Sequence, residues 1–338
     1  MQKPKAHRSE RELDPPSSPE VERIEVSSDV PFDLDGARLD QAAAALFRDY
    51  SRARLQEWIR SGELLLDGDR ARPRTPVRSG STLRLSASLA REVAWRAEAL
   101  PLSLIYEDAD LLVVNKPAGL VVHPGAGNSR GTLVNALLEH RPELAHLPRG
   151  GIVHRLDKET SGLLVVAASL PAHTSLVDQL QKKEVSREYV CIVRGSPSGG
   201  GRVEAPIGRH PKQRTRMAVV ATGGKPAITH YRIRERLGAF TALDVFLETG
   251  RTHQIRVHMA HRGYPLLGDP VYGGRLQLPR GASGDMIREL RAFRRQALHA
   301  HRLRFQHPTS GKPCEFDAPL ADDIEGLLAT LRAEHARV

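Results

Sequence analysis

The run Gly150-Gly151-Ile152-Val153-His154-Arg155-Leu156-Asp157-Lys158-Glu159-Thr160-Ser161-Gly162 puts one carboxylate, Asp157, between two cations. Cations beside a carboxylate favour its charged form, which suits a nucleophile or a base better than an acid. Taken alone, such a loop residue is better read as a turn-capping aspartate among solvated charges. His253, His258 and His261 lack the i, i+4 pair of helical zinc ligands, and Arg251, Arg256 and Arg262 among them would repel a cation, so no metal is expected. Residues 202–216 carry five basic side chains, Arg209 among them, against the single acid Glu204. They read as a loop over the phosphates of a polyanion or as a plain solvated loop.

These residues need elements to hold them. Leu111 to Val114 and Leu163 to Ala168 are apolar runs of strand length, and Arg187 to Val193 and Leu243 to Thr249 alternate between two faces, which predicts a mixed sheet. Asp157 thus sits on a loop entering a core strand. Helices are expected at Thr132 to Glu139, Pro171 to Lys183, Thr252 to His261 and Ile324 to His335. Upstream, Leu39, Ala42, Ala43 and Leu46 recur at helical spacing. Ser51 offers an N-cap for a second helix carrying Leu55, Trp58 and Ile59, and short strands follow at Glu63 to Leu66 and Ser81 to Leu85. Arg52, Arg54 and Arg60 on or beside that second helix form a face that could track phosphates or a solvated surface. Residues 1–30, with Pro15, Pro16 and Pro19 and no apolar period, read as a flexible tail. Residues 36–90 form a small domain, 91–101 a charged linker and 102–338 the larger domain.

With 338 residues, 40% hydrophobic and 27% charged, the chain has the balance of an ordinary soluble protein of two domains. No apolar run spans a membrane and the start is polar, so the expected compartment is the cytoplasm. Cys191 and Cys314 suggest neither a disulfide framework nor a zinc site. The net charge of +10 suits a polyanionic partner. Residues 1–30 hold five basic and seven acidic side chains, so the excess lies in the folded part rather than in a basic arm. No Gly-rich phosphate loop stands between a strand and a helix, so nucleotide-dependent chemistry is not indicated.

The ten residues from His154 to Leu163 resemble the HRLDxxTSGL signature of the RluA-type pseudouridine synthases. The likeness continues through Arg187-Glu188-Tyr189, Glu248 to His258, Gly268 to Gly274 and Gln296 to Ala300, and Arg38-Leu39-Asp40 with Ser51 to Leu55 is similar to the S4 RNA-binding module. The resemblance implies an α+β pseudouridine-synthase fold, with a mixed, largely antiparallel central sheet flanked by helices and loops, preceded by a small S4-like α/β RNA-binding domain. It implies Asp157 as the attacking carboxylate, Tyr189 against the target uracil and assisting the C5 proton transfer, and Arg251 paired with Asp157. Arg155 would fill the space left by the extruded base, offsetting part of the cost of flipping. His154 and Thr160 are expected at the substrate with it, and Arg52, Arg54, Arg60 and Arg209 along the RNA. His123 to Asn128 and Ala205 to Pro211 resemble the member that modifies 23S ribosomal RNA, at the helix 69 stem-loop. A monomer acting on large-subunit precursors is expected.

The reaction breaks the N1–C1′ bond, turns the base, bonds C5 to C1′ and releases the C5 proton. It needs no redox step, metal or nucleotide, so no cofactor is expected. The carboxylate acts covalently at the sugar, or removes the 2′ proton on a glycal route. Three alternatives stay open. An N-glycoside hydrolase would want a second, protonated carboxyl. A ribosome assembly factor would need only the RNA-binding surface. A sibling synthase would choose other uridines through loop shape.

Overall fold

The computed structural model describes residues 21–337, apart from 48–49, 51, 91–94, 126–127, 129 and 214. It divides into two compact units, Met1–Ala94 and Trp95–Val338.

The smaller unit runs β1 (Val21–Asp29), α1 (Leu39–Leu46), α2 (Arg52–Ser61), β2 (Leu64–Leu66) and β3 (Thr82–Ala90). Its antiparallel sheet has the order β1-β3-β2. The helical spacing of Leu39, Ala42 and Ala43 and of Leu55, Trp58 and Ile59 buries one stripe of each helix against Leu64, Leu83 and Leu85. β1 corrects the expected tail, because residues 21–29 pair along their whole length with β3, from Val21 opposite Ala90 to Asp29 opposite Thr82. Ile24 and Val30 are the buried apolar residues among 24–30, so a distant ladder, which local composition does not reveal, holds this strand. Residues 1–20 and the expected N-cap Ser51 lie outside the described residues.

The larger unit continues with β4 (Leu104–Glu107), β5 (Leu111–Lys116), α3 (Leu133–His140), β6 (Ser161–Ala167), α4 (Leu170–Gln181), β7 (Ser186–Arg194), β8 (Gly201–Glu204), β9 (Ile207–Arg209), β10 (Met217–Val219), β11 (Ile228–Leu237), β12 (Phe240–Leu247), α5 (Gln254–His261), α6 (Gly284–Ala292), β13 (Leu298–Gln306), β14 (Pro313–Asp317) and α7 (Asp322–His335). Its main sheet has the order β4-β5-β6-β13-β7-β12-β11-β8, with β14 on β13. β13 and β6 pair in parallel, and the other ladders of this sheet are antiparallel. Residues 95–101, expected in the linker, belong here. Trp95 packs on the core, and the Glu98 carboxylate accepts from Arg130 Nε and the Gly131 amide at 3.2 and 3.1 Å.

Helix signals explain the flanking layer. The Thr132 hydroxyl and the Asn135 side chain form a reciprocal box at the start of α3. Ser169 caps α4, where Pro171 occupies the first turn. Ile324, Leu327, Leu328 and Leu331 bury one face of α7. α6 has only Met286 and Leu290 buried among charged residues, too short an apolar period to be read in advance. β7 departs from simple alternation: Arg187 is buried between half-buried Ser186 and Glu188, but from Tyr189 to Val193 every residue is buried. Its far end has apolar residues on both faces, Cys191 and Val193 in one cluster and Ile192 in another.

Candidate active site

The segment 152–160 enters β6 as a loop clamped from several sides. The Lys116 ammonium, fully buried, donates to the carbonyls of Pro117, Leu120 and Lys158 at 2.7, 3.0 and 3.0 Å. Arg295 Nη1 donates to the Glu159 carbonyl at 3.1 Å, and Gln296 Nε2 to the Thr160 hydroxyl at 3.0 Å. The Thr160 amide closes the turn onto the Asp157 carbonyl at 3.0 Å. Gly162 follows with φ +110, and a Cβ there would lie 2.2 Å from the Ala300 carbonyl oxygen, so glycine is what lets β6 approach β13. A carboxylate on a loop held this way keeps one geometry.

Asp157 opens into a cleft of about 850 Å³, lined also by Arg155, Arg187, Tyr189, Arg251, His253 and Arg256. Arg256 Nη1 donates to Asp157 Oδ2 at 3.0 Å. The same guanidinium grips Asp269 through Nε and Nη2 at 2.7 and 3.0 Å, with a 5% exposed side chain on Arg256 and none exposed on Asp269. Asp269 Oδ1 also accepts the amides of Val271 and Tyr272 at 2.8 and 3.0 Å. One arginine is therefore fixed by one aspartate and aims a second, which is 16% exposed. Tyr272 presents its ring to Arg256 at 5.0 Å and to Arg216 at 5.2 Å. Its hydroxyl accepts from the Met217 amide at 3.0 Å and meets His253 Nδ1 at 2.8 Å. With the hydroxyl proton given to Nδ1, His253 carries its own proton on Nε2, 3.9 Å from Asp157 Oδ1. Burial lowers the pKa of His253 and keeps the ring neutral.

The expected pairing of Arg251 with Asp157 is corrected. Arg251 Nε donates to the Pro226 carbonyl at 3.1 Å, and Arg256 makes the bond to the carboxylate. Both lie in one basic run, and α5, starting after the left-handed His253 (φ 58), turns Arg256 inward. His154 and Thr160 support the loop: His154 Nε2 accepts the Val165 amide at 3.2 Å, and the Thr160 hydroxyl is taken by Gln296. Burial, with the charge of Arg187, pushes the His154 pKa down to about 3. Arg155 is exposed at the cleft. Tyr189 is buried, and burial raises its phenol pKa. Arg209 is exposed on β9. In the smaller unit Arg52 is bonded to Asp40 at 2.8 Å, Arg54 lies over the Trp58 ring at 5.9 Å, and Arg60 donates to Gln56 at 3.3 Å. His258 belongs to no metal group, because its two ring nitrogens meet the Thr229 hydroxyl at 2.9 Å and the Ala205 carbonyl at 3.0 Å. No cluster of three metal-ligating side chains occurs among the described residues.

Residues 110–261 match the RNA pseudouridylate synthase family, and residues 37–83 match the S4 domain. A ribosomal large subunit pseudouridine synthase D of Pseudomonas aeruginosa is 54% identical over 92% of this chain and 97% of its own. Those of Xanthomonas campestris pv. campestris and Escherichia coli K12 are 53% and 50% identical over 91% and 93% of this chain, covering 93% and 96% of their own.

The chain belongs to the RNA pseudouridylate synthase family.

Human RNA Pseudouridylate Synthase Domain Containing 4 superposes with a TM-score of 0.54 at 25% identity, over 68% of this chain and 93% of that one. The synthase fold, with a mixed sheet in the domain that follows the S4 domain along the chain, is thus the expected one. Its chemistry is an isomerisation. Lys116, Arg187, Arg256, Asp269, Tyr272, Arg295 and Gln296 are site-forming residues of this synthase to which the sequence alone assigned no role. Gly268 to Gly274 and Gln296 to Ala300 marked two of the segments that carry them.

Proposed function

We propose that this synthase converts uridines of large-subunit ribosomal RNA to pseudouridine, with Asp157 as the reacting carboxylate and without a cofactor. The target is the helix 69 stem-loop of 23S rRNA within large-subunit precursors, and the enzyme acts as a cytoplasmic monomer. The one-sided bonding of Asp157 carries this reading. Arg256 holds one oxygen at 3.0 Å while the carboxylate remains open to the cleft. A held, half-satisfied carboxylate can reach a sugar atom without first shedding a full set of partners.

The flipped uridine enters with its ribose at Asp157 and its base toward Tyr189, and Arg155 at the mouth occupies the vacated stack. Asp157 bonds to C1′ as the N1–C1′ bond breaks, or takes the 2′ proton on the glycal route. Tyr189 remains a protonated phenol at neutral pH, because burial raises its pKa. Its part in C5 deprotonation is to relay a proton, not to begin as the base. The relatives named ribosomal large subunit pseudouridine synthase D support the rRNA substrate. The S4 match, with Arg52, Arg54 and Arg60 on or near one helix, supports RNA binding.

The test is pseudouridine mapping of unmodified 23S rRNA and of large-subunit precursors after incubation with wild-type or Asp157→Ala protein, without added cofactor. Pseudouridines confined to the helix 69 loop and made only by wild type are expected. New pseudouridines elsewhere would replace the target, and none from either protein would overturn the reading.

A further inference from the structure

Arg187 is an unusual cation. The residue lines the cleft and is 7% exposed, yet no carboxylate among the described residues pairs with it. Its Nε is buried without a partner, and its one hydrogen bond is a long 3.5 Å contact from Nη2 to the Leu247 carbonyl. A Cβ at Gly250 would lie 2.7 Å from Arg187 Nη1, so the glycine leaves the space that the guanidinium fills. A guanidinium keeps its proton at any physiological pH, and an unmatched buried charge is costly. The contrast with Arg256 is direct, since that buried arginine is matched by two aspartates.

Position identifies an anion that would match it. Arg187 and Tyr189 are two residues apart on β7 and both buried, so they project to one face of the strand about 7 Å apart. The proposed reading places the base at Tyr189. When the N1–C1′ bond breaks, its electron pair leaves with N1, and the negative charge spreads over N1, O2 and O4. C1′ gains the Asp157 oxygen, or the ribose loses its 2′ proton to Asp157. C5 then bonds to C1′, releasing the carboxylate or, on the glycal route, recovering the 2′ proton. C5 loses its proton and N1 gains one, so the sum is an isomerisation. Between these events the base is an anion in the cleft.

We infer that Arg187 is a catalytic residue that contacts a uracil carbonyl oxygen and balances the charge of the detached base. This rests on the reading of Asp157 and Tyr189 given under Proposed function. A backbone phosphodiester would also match a guanidinium, but the shared strand face with Tyr189 puts Arg187 beside the base.

The test compares full-length wild type, Arg187→Gln and Arg187→Lys in single-turnover reactions with enzyme in excess. Each is given a 23S rRNA fragment carrying uridine or 5-fluorouridine, and consumption of the target nucleoside and RNA affinity are both measured. For uridine RNA, Arg187→Gln is expected to lower the maximal rate about 100-fold while leaving Kd within about threefold, and Arg187→Lys to recover about a tenth of the wild-type rate. The loss should shrink with 5-fluorouridine, because fluorine itself stabilises the base anion. A Kd raised tenfold or more, with an unchanged maximal rate and a salt dependence reduced by about one phosphate contact, would overturn the inference in favour of a phosphodiester. Equal losses on both substrates would overturn it in favour of a structural role. Failure of wild type to make pseudouridine would overturn the underlying reading instead.

Discussion

The tripeptide Arg-Leu-Asp occurs at Arg38-Leu39-Asp40 and again at Arg155-Leu156-Asp157, with opposite fates. In the smaller unit Arg38 turns back on Asp40 through Nε and Nη2, both at 3.0 Å, and Arg52 and Gln56 add bonds at 2.8 and 2.6 Å. The Asp40 side chain has no exposed surface. In the larger unit Arg155 faces solvent, and Asp157 takes its arginine from 99 residues away, through one oxygen, with 16% of its side chain exposed. A carboxylate whose lone pairs are filled ties elements together, whereas one that is aimed but unfilled is available to react. The same three residues cannot announce which they are, because the difference lies in partners supplied by other elements.

Exchanging each aspartate for asparagine separates the two roles. Asp157→Asn should lower the single-turnover rate of pseudouridine formation by about 10⁴-fold or more with little change in thermal stability. Arg256→Gln should cost about 10²- to 10³-fold in rate with RNA affinity nearly intact, and it should also lower stability because Asp269 loses its cation. Denaturant titration should show Asp40→Asn destabilising the smaller unit by about 1–3 kcal/mol, a range kept low because Arg38 and Arg52 are half exposed and water replaces part of their attraction. Its rate at saturating RNA should match wild type. A large rate loss from Asp40→Asn would break the comparison.

Much of the framework was legible in the sequence, for stated reasons. Apolar runs at Leu111 to Val114 and Leu163 to Ala168 announced two buried strands, and the helices expected at Thr132 to Glu139, Pro171 to Lys183 and Ile324 to His335 overlie α3, α4 and α7. β1 was not legible, since its evidence is the ladder with β3 some sixty residues later. The choice between Arg251 and Arg256 was not legible either. Both stand in one basic run, and only the left-handed turn at His253 and the position of Asp269 decide which guanidinium points inward.

Smaller effects sharpen the account. Burial holds His154, His123 and His299 near pKa values of about 3, 4 and 4, below the 6.5 of an exposed histidine. Folding therefore keeps them neutral where the unfolded chain would protonate them. Their contribution to stability is fully present above pH 6.5 and is lost as the pH falls toward 4 and then 3. Each should add a slope of about 1.4 kcal/mol per pH unit within its window, and His154→Gln should remove up to one proton from that slope in urea titrations between pH 4.5 and 6.5. Arg251→Ala should change the maximal rate by less than about threefold, since its guanidinium bonds to the Pro226 carbonyl and not to Asp157.

The most direct measurement is tritium release from 23S rRNA labelled at uridine C5, followed in parallel for wild type, Asp157→Asn and Asp40→Asn at saturating enzyme. Release by wild type and Asp40→Asn at equal rates, with none above background from Asp157→Asn, is the predicted result. Release by Asp157→Asn at a rate near that of wild type would contradict the assignment of the reaction to that carboxylate.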